Sequence, residues 1–467
     1  MSKKTGSAID MTSGSPHRLL LAFSVPLLAG NVLQQLYNTV DSLVVGNFLG
    51  REALAAVGSG FPFLFMLTAL FMGIAMGGAI IVSQYFGARD YDSLQRTVGT
   101  IYRLLPLLVL PISVAGVIFA RPVLSLLRVP DDGTLNLASI YLQVIFAGLI
   151  GSMGYNINAG LLQGIGDGVS SLKFLSLATL INIVLDLIFV LVFHWGVFGV
   201  ALATVIAQWI SWILGVFYIN RRYDYISIRP RQLEFDRDIF RRALKLGIPS
   251  GMQQMVFSLG SMLMSALINS YGSAFMAGFT SAGRIDSFVF MPIQSFSMAT
   301  TTYIGQNVGA QRLDRVSSGM RAALALGMGT GLALGLGLYP LRHVLMRLFS
   351  DDELVIAYGA NYLQNLLPFY FILAFLFTVN SVLRGSGQTF IPMISSFISM
   401  LIVRIPTAYL ISRLLGPDYL YYSYVIGWVA GSSVSFAYYH FSGWRERLQL
   451  DMVKTPLTAD REAECSS

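Results

Sequence analysis

The sequence predicts an all-α integral membrane protein with twelve transmembrane helices in two six-helix lobes. Hydrophobic residues make up 55% of the 467 residues and charged residues only 12%, about half the charged share of a typical soluble domain. Mean hydropathy is +0.64. Apolar runs of about 20 or more residues, the length at which a helix crosses the hydrocarbon, alternate with short charged segments.

Twelve apolar spans are expected, and they set the predicted domain boundaries. The spans are 19–49, 54–85, 94–120, 134–163, 169–193, 197–221, 238–271, 274–308, 314–342, 354–383, 390–413 and 417–442. The predicted parts are an N-terminal tail 1–18, an N-lobe 19–221, a linker 222–237, a C-lobe 238–442 and a C-terminal tail 443–467.

The basic residues indicate orientation. Most of the 31 Lys and Arg lie on one side of the membrane if both termini are cytoplasmic, with a dense run between Arg221 and Arg242. The positive-inside rule therefore predicts a multi-pass protein of the cytoplasmic (inner) membrane, with both tails inside. This distribution explains the net charge of +7 without a nucleic-acid partner.

Cofactor and enzyme signals are missing from the sequence. The single Cys465 lies in a polar tail, and the four histidines show no metal-ligand spacing. No cluster of acids and histidines marks either membrane surface. We therefore expect no cofactor, no resident metal and no enzymatic activity.

The two halves of the chain repeat each other. SVPLLAGNVLQQL aligns with GIPSGMQQMVFSL, Pro26 opposite Pro249, and SQYFGAR aligns with GQNVGAQ, Gln84 opposite Gln306. LLQGIGD and VLRGSGQ match at nearly the same offset. Because each half has an even number of spans, the copies have the same orientation and a pseudo-two-fold axis along the membrane normal. Such parallel repeats are typical of alternating-access transporters, with the ligand path between them.

The motifs resemble those of the multidrug and toxic compound extrusion (MATE) family, in its bacterial branch, over nearly the whole chain. The resemblance rests on the Pro26…Asp41 helix, SQYFGAR, LQGIGD, NIVLD, GVALATVIAQ, GQNVGAQ and LRGSGQ. It implies two lobes around a V-shaped central cavity. It also implies export of amphipathic, often cationic compounds, coupled to inward flow of protons or sodium ions.

Three acidic residues fall within spans and away from the span ends, and two of them share a depth. A carboxylate at the bilayer centre costs roughly 2.5–3.5 kcal/mol, so it is expected to face a cavity or a partner. Helical rise puts Asp41, Asp186 and Thr204 about 10–14 Å below the outer surface, and Asn182 lies one turn from Asp186. Their oxygens suit a sodium ion or a proton equally. The resemblance implies that Asp41, Asn182, Asp186 and Thr204 form the coupling-ion site; the alternative is that the acids only bond neighbouring helices.

The second half predicts no equivalent site. The offsets align Asp41 with Met264, Asn182 with Val403, Asp186 with Thr407 and Thr204 with Tyr424. The third acid, Asp286, is expected to form a structural ion pair with Arg404 or Arg284. A direct attraction for cationic substrate is the less favoured role for it.

Substrate contacts are expected on flexible and aromatic side chains, because thioethers suit promiscuous surfaces. The predicted cavity residues are Gln34, Gln253, Met255, Phe257, Met291 and Asp286. Pro26 is expected to bend the first helix and to affect conformation indirectly.

The predicted function is a cation-coupled antiporter, a monomer that handles small amphipathic molecules and contacts membrane lipids. A flippase for lipids or lipid-linked precursors is the alternative. A flippase would favour a basic patch for a phosphate headgroup, and the two candidates, Arg284 and Arg404, are too few for one. The sequence does not separate proton from sodium coupling.

Overall fold

The structure, a computed structural model, describes residues 8–126, 129–444 and 446. The described residues form helices joined by short turns, and these group into twelve segments. The first-half segments are α1 Pro16–Leu49, α2 Gly50–Ala88, α3 Tyr91–Leu126, α4 Thr134–Ala147 with Leu149–Gly164, α5 Gly168–Val192 and α6 Gly196–Arg222. The second-half segments are α7 Arg237–Asn269, α8 Ser273–Gly309, α9 Leu313–Arg347, α10 Glu353–Gly385, α11 Phe390–Leu414 and α12 Tyr422–Phe441. Each segment overlaps one predicted span, which confirms the all-α fold class.

Membrane-spanning character is clear for most of these segments. Among the described residues, nine helices are long and apolar enough to cross a membrane, or ten if the bent pair in α4 is one span. That pair bends by 53° at Gly148, where an added Cβ would lie 2.3 Å from the side chain of Val205 on α6. The other two segments, α8 and α12, are rich in Ser, Thr and Tyr, which lowers their hydropathy.

The chain divides into two compact units. Unit 1 contains Ala29–Val82, Tyr91–Gly251 and the described residues before Asp10. Unit 2 contains Asp10–Leu28, Ser83–Asp90 and the described residues from Met252 onward. The helix α1 is therefore shared, and Pro26 lies inside it, two residues before the last residue that belongs to unit 2. The predicted lobe and linker boundaries stay a prediction; most of the C-terminal tail, with Cys465, lies outside the described residues.

Three helices contain a wide π-helical segment. These segments are Val45–Leu49 in α1, Ile188–Val192 in α5 and Ile398–Arg404 in α11. A π-turn inserts an extra residue into the helix and is frequently found at functional sites. Here each one begins or ends within four residues of a charged side chain, namely Asp41, Asp186 or Arg404.

Glycines allow α2 to approach α7 closely within unit 1. A Cβ on Gly73 would lie 2.3 Å from the backbone nitrogen of Gly251, and one on Gly77 would lie 2.8 Å from the carbonyl of Ala243. Such distances are too short for any side chain, so the two backbones pack directly. Small residues commonly mediate this kind of contact between membrane helices.

Candidate cation site

The four predicted cation-site residues come together in unit 1. Asp41 lies on α1, Asn182 and Asp186 lie on α5, and Thr204 lies on α6. The side-chain amide of Asn182 donates to Oγ1 of Thr204 at 3.3 Å. Asp41 and Asp186 are close enough to interact electrostatically. On α5, Asn182 and Asp186 lie on one helix face because they are four residues apart.

Unsatisfied oxygen atoms define the chemistry of this cluster. Asp186 is fully buried and Asn182 is 1% exposed. Four buried oxygens lack a hydrogen-bond partner: Oδ1 of Asp41, Oδ1 of Asn182 and both carboxylate oxygens of Asp186. Buried polar atoms in proteins are nearly always bonded, so these four oxygens are open to a proton, a cation or water. Oxygen is the ligand type that hard cations prefer, and a carboxylate is also a proton carrier.

Two tyrosines belong to this site and were not predicted. The hydroxyl of Tyr37 donates to Oγ1 of Thr204 at 3.3 Å. Tyr37 and Tyr141 both interact electrostatically with Asp41 and Asp186. A signal for Tyr37 was available, since it precedes Asp41 by four residues and so shares its helix face. No comparable signal marks Tyr141, which reaches the site from α4.

An apolar cluster, here called the valine cap, covers the ends of the helices beyond the acids. Val44 and Val45 follow Asp41 on α1, and Val190 follows Asp186 by four residues on α5; all three are buried. The valine cap contains Val44, Val45, Ala53, Val190, Val197 and Val200. Its members on α1 and α5 follow the two acids along the chain.

The predicted cavity residues differ in their surroundings. Gln34 is exposed, and Met255 is 37% exposed. Met291 is buried, and the ring of Phe257 stacks on Phe377 with centroids 6.3 Å apart. Their assignment to a substrate cavity stays a prediction.

Gln253 has local partners within unit 2. Its side chain is buried and donates to the carbonyl of Pro392 at 3.2 Å and to Oγ of Ser396 at 2.7 Å. These bonds tie α7 to α11, so Gln253 has a structural contact beside its predicted cavity role.

The expected ion pair of Asp286 is not formed. In the part of the chain that the structure describes, no basic nitrogen lies within 4.0 Å of its carboxylate, and the ion pairs found there involve other residues. Arg284 is exposed. The guanidinium of Arg404 lies over the ring of Tyr424 instead, 4.1 Å from its centroid. The prediction assumed a straight helix, whereas Arg404 ends a π-helical segment that rotates its side chain.

The aligned positions of the second half carry different chemistry. Met264 is 1% exposed and belongs to the apolar core of unit 2. The hydroxyl of Thr407 donates to carbonyls of its own helix, at Val403 and Arg404. These positions offer no buried acid.

Together these features define a class: a multi-pass helical membrane protein with an internal repeat and a cluster of unpaired buried oxygens in one unit. The MatE family model matches residues 26–188 and again 249–410. The second match begins 223 residues after the first, which agrees with the repeat offset found in the sequence. The chain belongs to the MatE family.

Relatives of known name cover nearly the whole chain. The probable multidrug resistance protein YpnP of Bacillus subtilis is 31% identical over 438 residues, covering 94% of this chain and 98% of that protein. The probable multidrug resistance protein YoeA of the same organism is 28% identical, over 92% of this chain and 94% of its own. A crystal structure of MATE in complex with MaL6 has a TM-score of 0.86 and 25% identity, over 97% of this chain and 100% of that one.

Proposed function

We propose that this protein is a multidrug efflux transporter of the antiporter type, which exports amphipathic cationic compounds in exchange for protons or sodium ions. The observation that carries the coupling mechanism is the set of four unpaired buried oxygens on Asp41, Asn182 and Asp186. The names of the relatives, probable multidrug resistance proteins, support the cargo class.

The coupling step uses the two carboxylates. Two buried acids that are close together repel each other when both are ionised, so a proton or a cation at the pair lowers the energy of the arrangement in which they are near. An ion can drive transport only if it binds two conformations unequally. Ion binding at Asp41 and Asp186 therefore favours one packing of unit 1, and ion release favours the other.

The hydroxyl of Thr204 and the amide of Asn182 orient this site. Oγ1 of Thr204 accepts bonds from both Tyr37 and Asn182, at 3.3 Å each. The amide nitrogen of Asn182 is thereby occupied, and its carbonyl oxygen stays available to the cation. This polarity favours a positively charged ligand over an anion.

The proposal includes insertion in the cytoplasmic membrane as a monomer, with both termini inside. The distribution of Lys and Arg supports this orientation. Inward ion flow then enters from the outer side, where the depth estimate puts Asp41 and Asp186.

The test is dye efflux from proteoliposomes under an imposed sodium gradient and, separately, an imposed pH gradient. We expect one gradient to drive export of a lipophilic cation such as ethidium and the other to have a much smaller effect. Export that is equally fast with neither gradient would contradict coupling. Absence of export under both gradients would contradict the antiport proposal as a whole.

A further inference from the structure

The connection between α6 and α7, residues 223–236, carries a basic surface in unit 1. The segment from Arg221 to Lys245 holds eight basic and four acidic residues. Five of its arginines are exposed and have no acidic group within 4.0 Å among the described residues: Arg221, Arg222, Arg229, Arg231 and Arg237. We call these five residues the arginine surface. Their guanidinium groups are open to an anion from outside the chain.

The acidic residues of this segment do not cancel the positive charge. Asp236 caps α7, since its carboxylate accepts from the backbone nitrogen of Asp238 at 2.9 Å. The carboxylate of Asp238 forms an ion pair with Arg241 at 3.5 Å, outside the arginine surface. Asp224 and Glu234 are exposed. Two free acids therefore face five free arginines, and the surface attracts anions.

Helix α3 holds the backbone of this connection in place. The side-chain amide of Gln95 donates to the carbonyl of Ser227 at 2.8 Å and to that of Gln232 at 3.3 Å, and its oxygen accepts from the nitrogen of Ser227 at 2.7 Å. A Cβ on Gly99 would lie 2.5 Å from the carbonyl oxygen of Glu234, so the two backbones pack directly. The connection is thus fixed on both sides of the turn that carries two of the arginines.

The apolar side chains of the connection divide into a buried set and one exposed ring. Four residues are buried: Tyr223, Tyr225, Ile226 and Ile228. Phe235 is 45% exposed, and its only described ring contact is with Phe240 of α7, at 5.6 Å between centroids. An exposed phenyl ring in a basic segment is typical of surfaces that lie in the interface of an anionic membrane.

The flanking helices place the connection at a membrane surface. Both α6 and α7 are long and apolar enough to cross a membrane, so the short segment that joins them lies near the lipid headgroups. With both termini cytoplasmic, as predicted, that surface is the inner leaflet, where anionic lipids attract basic segments. A soluble anion would use the arginines, but it would leave the ring of Phe235 in water.

We propose that the arginine surface and Phe235 bind anionic phospholipid headgroups of the inner leaflet. The arginines hold the phosphates, the phenyl ring enters the apolar edge of the headgroup region, and the bonds from Gln95 keep the arginines in one arrangement. This proposal goes beyond the export function and does not depend on it.

The test compares two fluorescently labelled lipids with the same acyl chains, anionic phosphatidylglycerol and zwitterionic phosphatidylcholine. Their binding to the purified full-length protein in a non-ionic detergent is measured by fluorescence anisotropy. We expect tighter binding of phosphatidylglycerol. The double variant Arg229→Gln/Arg231→Gln should weaken phosphatidylglycerol binding at least ~5-fold and phosphatidylcholine binding less than about twofold, because each basic residue adds to the attraction for anionic lipid.

A matched control removes the same charge elsewhere. Arg121→Gln/Arg413→Gln changes two exposed arginines on the predicted outer side, and it should leave the preference for phosphatidylglycerol unchanged. The size-exclusion profile of each variant monitors folding.

A second variant keeps all five arginines and removes their fixed backbone. Gln95→Leu loses the bonds to Ser227 and Gln232 and should weaken phosphatidylglycerol binding about 2–5-fold, because the arginines must then be ordered when the lipid binds. Phe235→Ser should weaken both lipids to a similar extent, since it removes apolar contact and no charge.

Four outcomes would overturn the proposal. The first three are equal affinity of the unmodified protein for both lipids, unchanged phosphatidylglycerol binding in Arg229→Gln/Arg231→Gln, and an equal loss in the control double variant. The fourth is displacement of labelled phosphatidylglycerol by inorganic phosphate, beyond the effect of sodium chloride at the same ionic strength, which would assign the surface to a soluble anion.

Discussion

At the scale of single residues, the carboxylates of Asp41 and Asp186 are the groups on which the proposed ion coupling depends most. Asp186 is fully buried and Asp41 is partly buried, and both have buried oxygens without a hydrogen-bond partner. Asn182 and Thr204 contribute the neutral part of the same candidate site. A neutral amide at either acidic position keeps the shape but removes the charge that attracts a cation. The consequences of that change are directly measurable.

We predict that Asp41→Asn and Asp186→Asn each reduce gradient-driven dye efflux at least ~10-fold, because the ion no longer distinguishes two conformations. Efflux from proteoliposomes and the size-exclusion profile are measured together, so that assembly is monitored. The matched control is Asp314→Asn, an exposed acid paired with Arg312 at 3.2 Å. Normal efflux by both site variants would contradict the coupling role.

Tyr37 makes a smaller contribution that can be tested by removing one hydroxyl. Tyr37→Phe leaves the ring in place but removes the bond to Thr204. One neutral hydrogen bond is worth about 0.5–1.5 kcal/mol, so the half-saturating concentration of the coupling ion should rise about 2–10-fold. Thr39→Val is the control, since that exposed hydroxyl bonds only to the carbonyl of Gln35 on its own helix. An equal effect in both variants would assign no special role to Tyr37.

Some residues of the candidate site can be predicted from sequence, and others cannot. Helical rise predicts one depth for Asp41, Asp186 and Thr204, and the structure brings Asp186 near Asp41 and Asn182 into contact with Thr204. Tyr141 was missed because lateral proximity depends on how α4 rotates and bends, and the sequence does not encode that rotation in any simple period. The ion pair of Asp286 was wrongly expected for a related reason, the π-helical segment before Arg404.

At the scale of elements, helix positions followed closely from hydrophobicity and length. The π-helical segments within those helices did not follow from hydrophobicity and length. The π-helical segment Ile188–Val192 has the sequence IFVLV, which contains no glycine or proline to signal a wide turn. Such a segment forms because packing against neighbouring helices favours it, and tertiary packing is not readable from local sequence. The bend at Gly148, by contrast, has a local glycine.

Close packing of α2 on α7 leads to a prediction for stability. Gly73→Ala should lower the melting temperature in detergent, because its Cβ would overlap the backbone of Gly251, and overpacking of this kind costs about 1–3 kcal/mol. The control is Gly329→Ala on α9, where an added Cβ meets nothing within 4 Å. A melting temperature for Gly73→Ala equal to that of the control would mean that the two backbones separate easily.

At the scale of the whole molecule, duplication and orientation are the main features. The two matches to the family model confirm the repeat that three short alignments indicated. The repeat was detectable because glycine and proline motifs persist at nearly constant offset, while the acids of the first half were replaced in the second. In the proposed mechanism, ion coupling therefore belongs to one unit of a structure that is otherwise repeated.

The single thiol of the chain allows a direct test of orientation. Cys465 should react with a membrane-impermeant maleimide only after the cells are permeabilised, because the positive-inside rule predicts a cytoplasmic C-terminal tail. The control is Asp132→Cys in a Cys465→Ser background, at an exposed position between α3 and α4. That thiol should be labelled in intact cells. The reverse labelling pattern would show that the topology is the opposite of the one predicted.

The valine cap has a kinetic consequence. If Asp41 and Asp186 hold the coupling ion as proposed, its departure past these buried apolar side chains requires them to repack, since a charge is unfavourable in an apolar layer. The dwell time of the ion is then set by protein motion rather than by diffusion in the water outside. The rate of ion exchange at the site should then be nearly independent of the external ion concentration and should rise steeply with temperature.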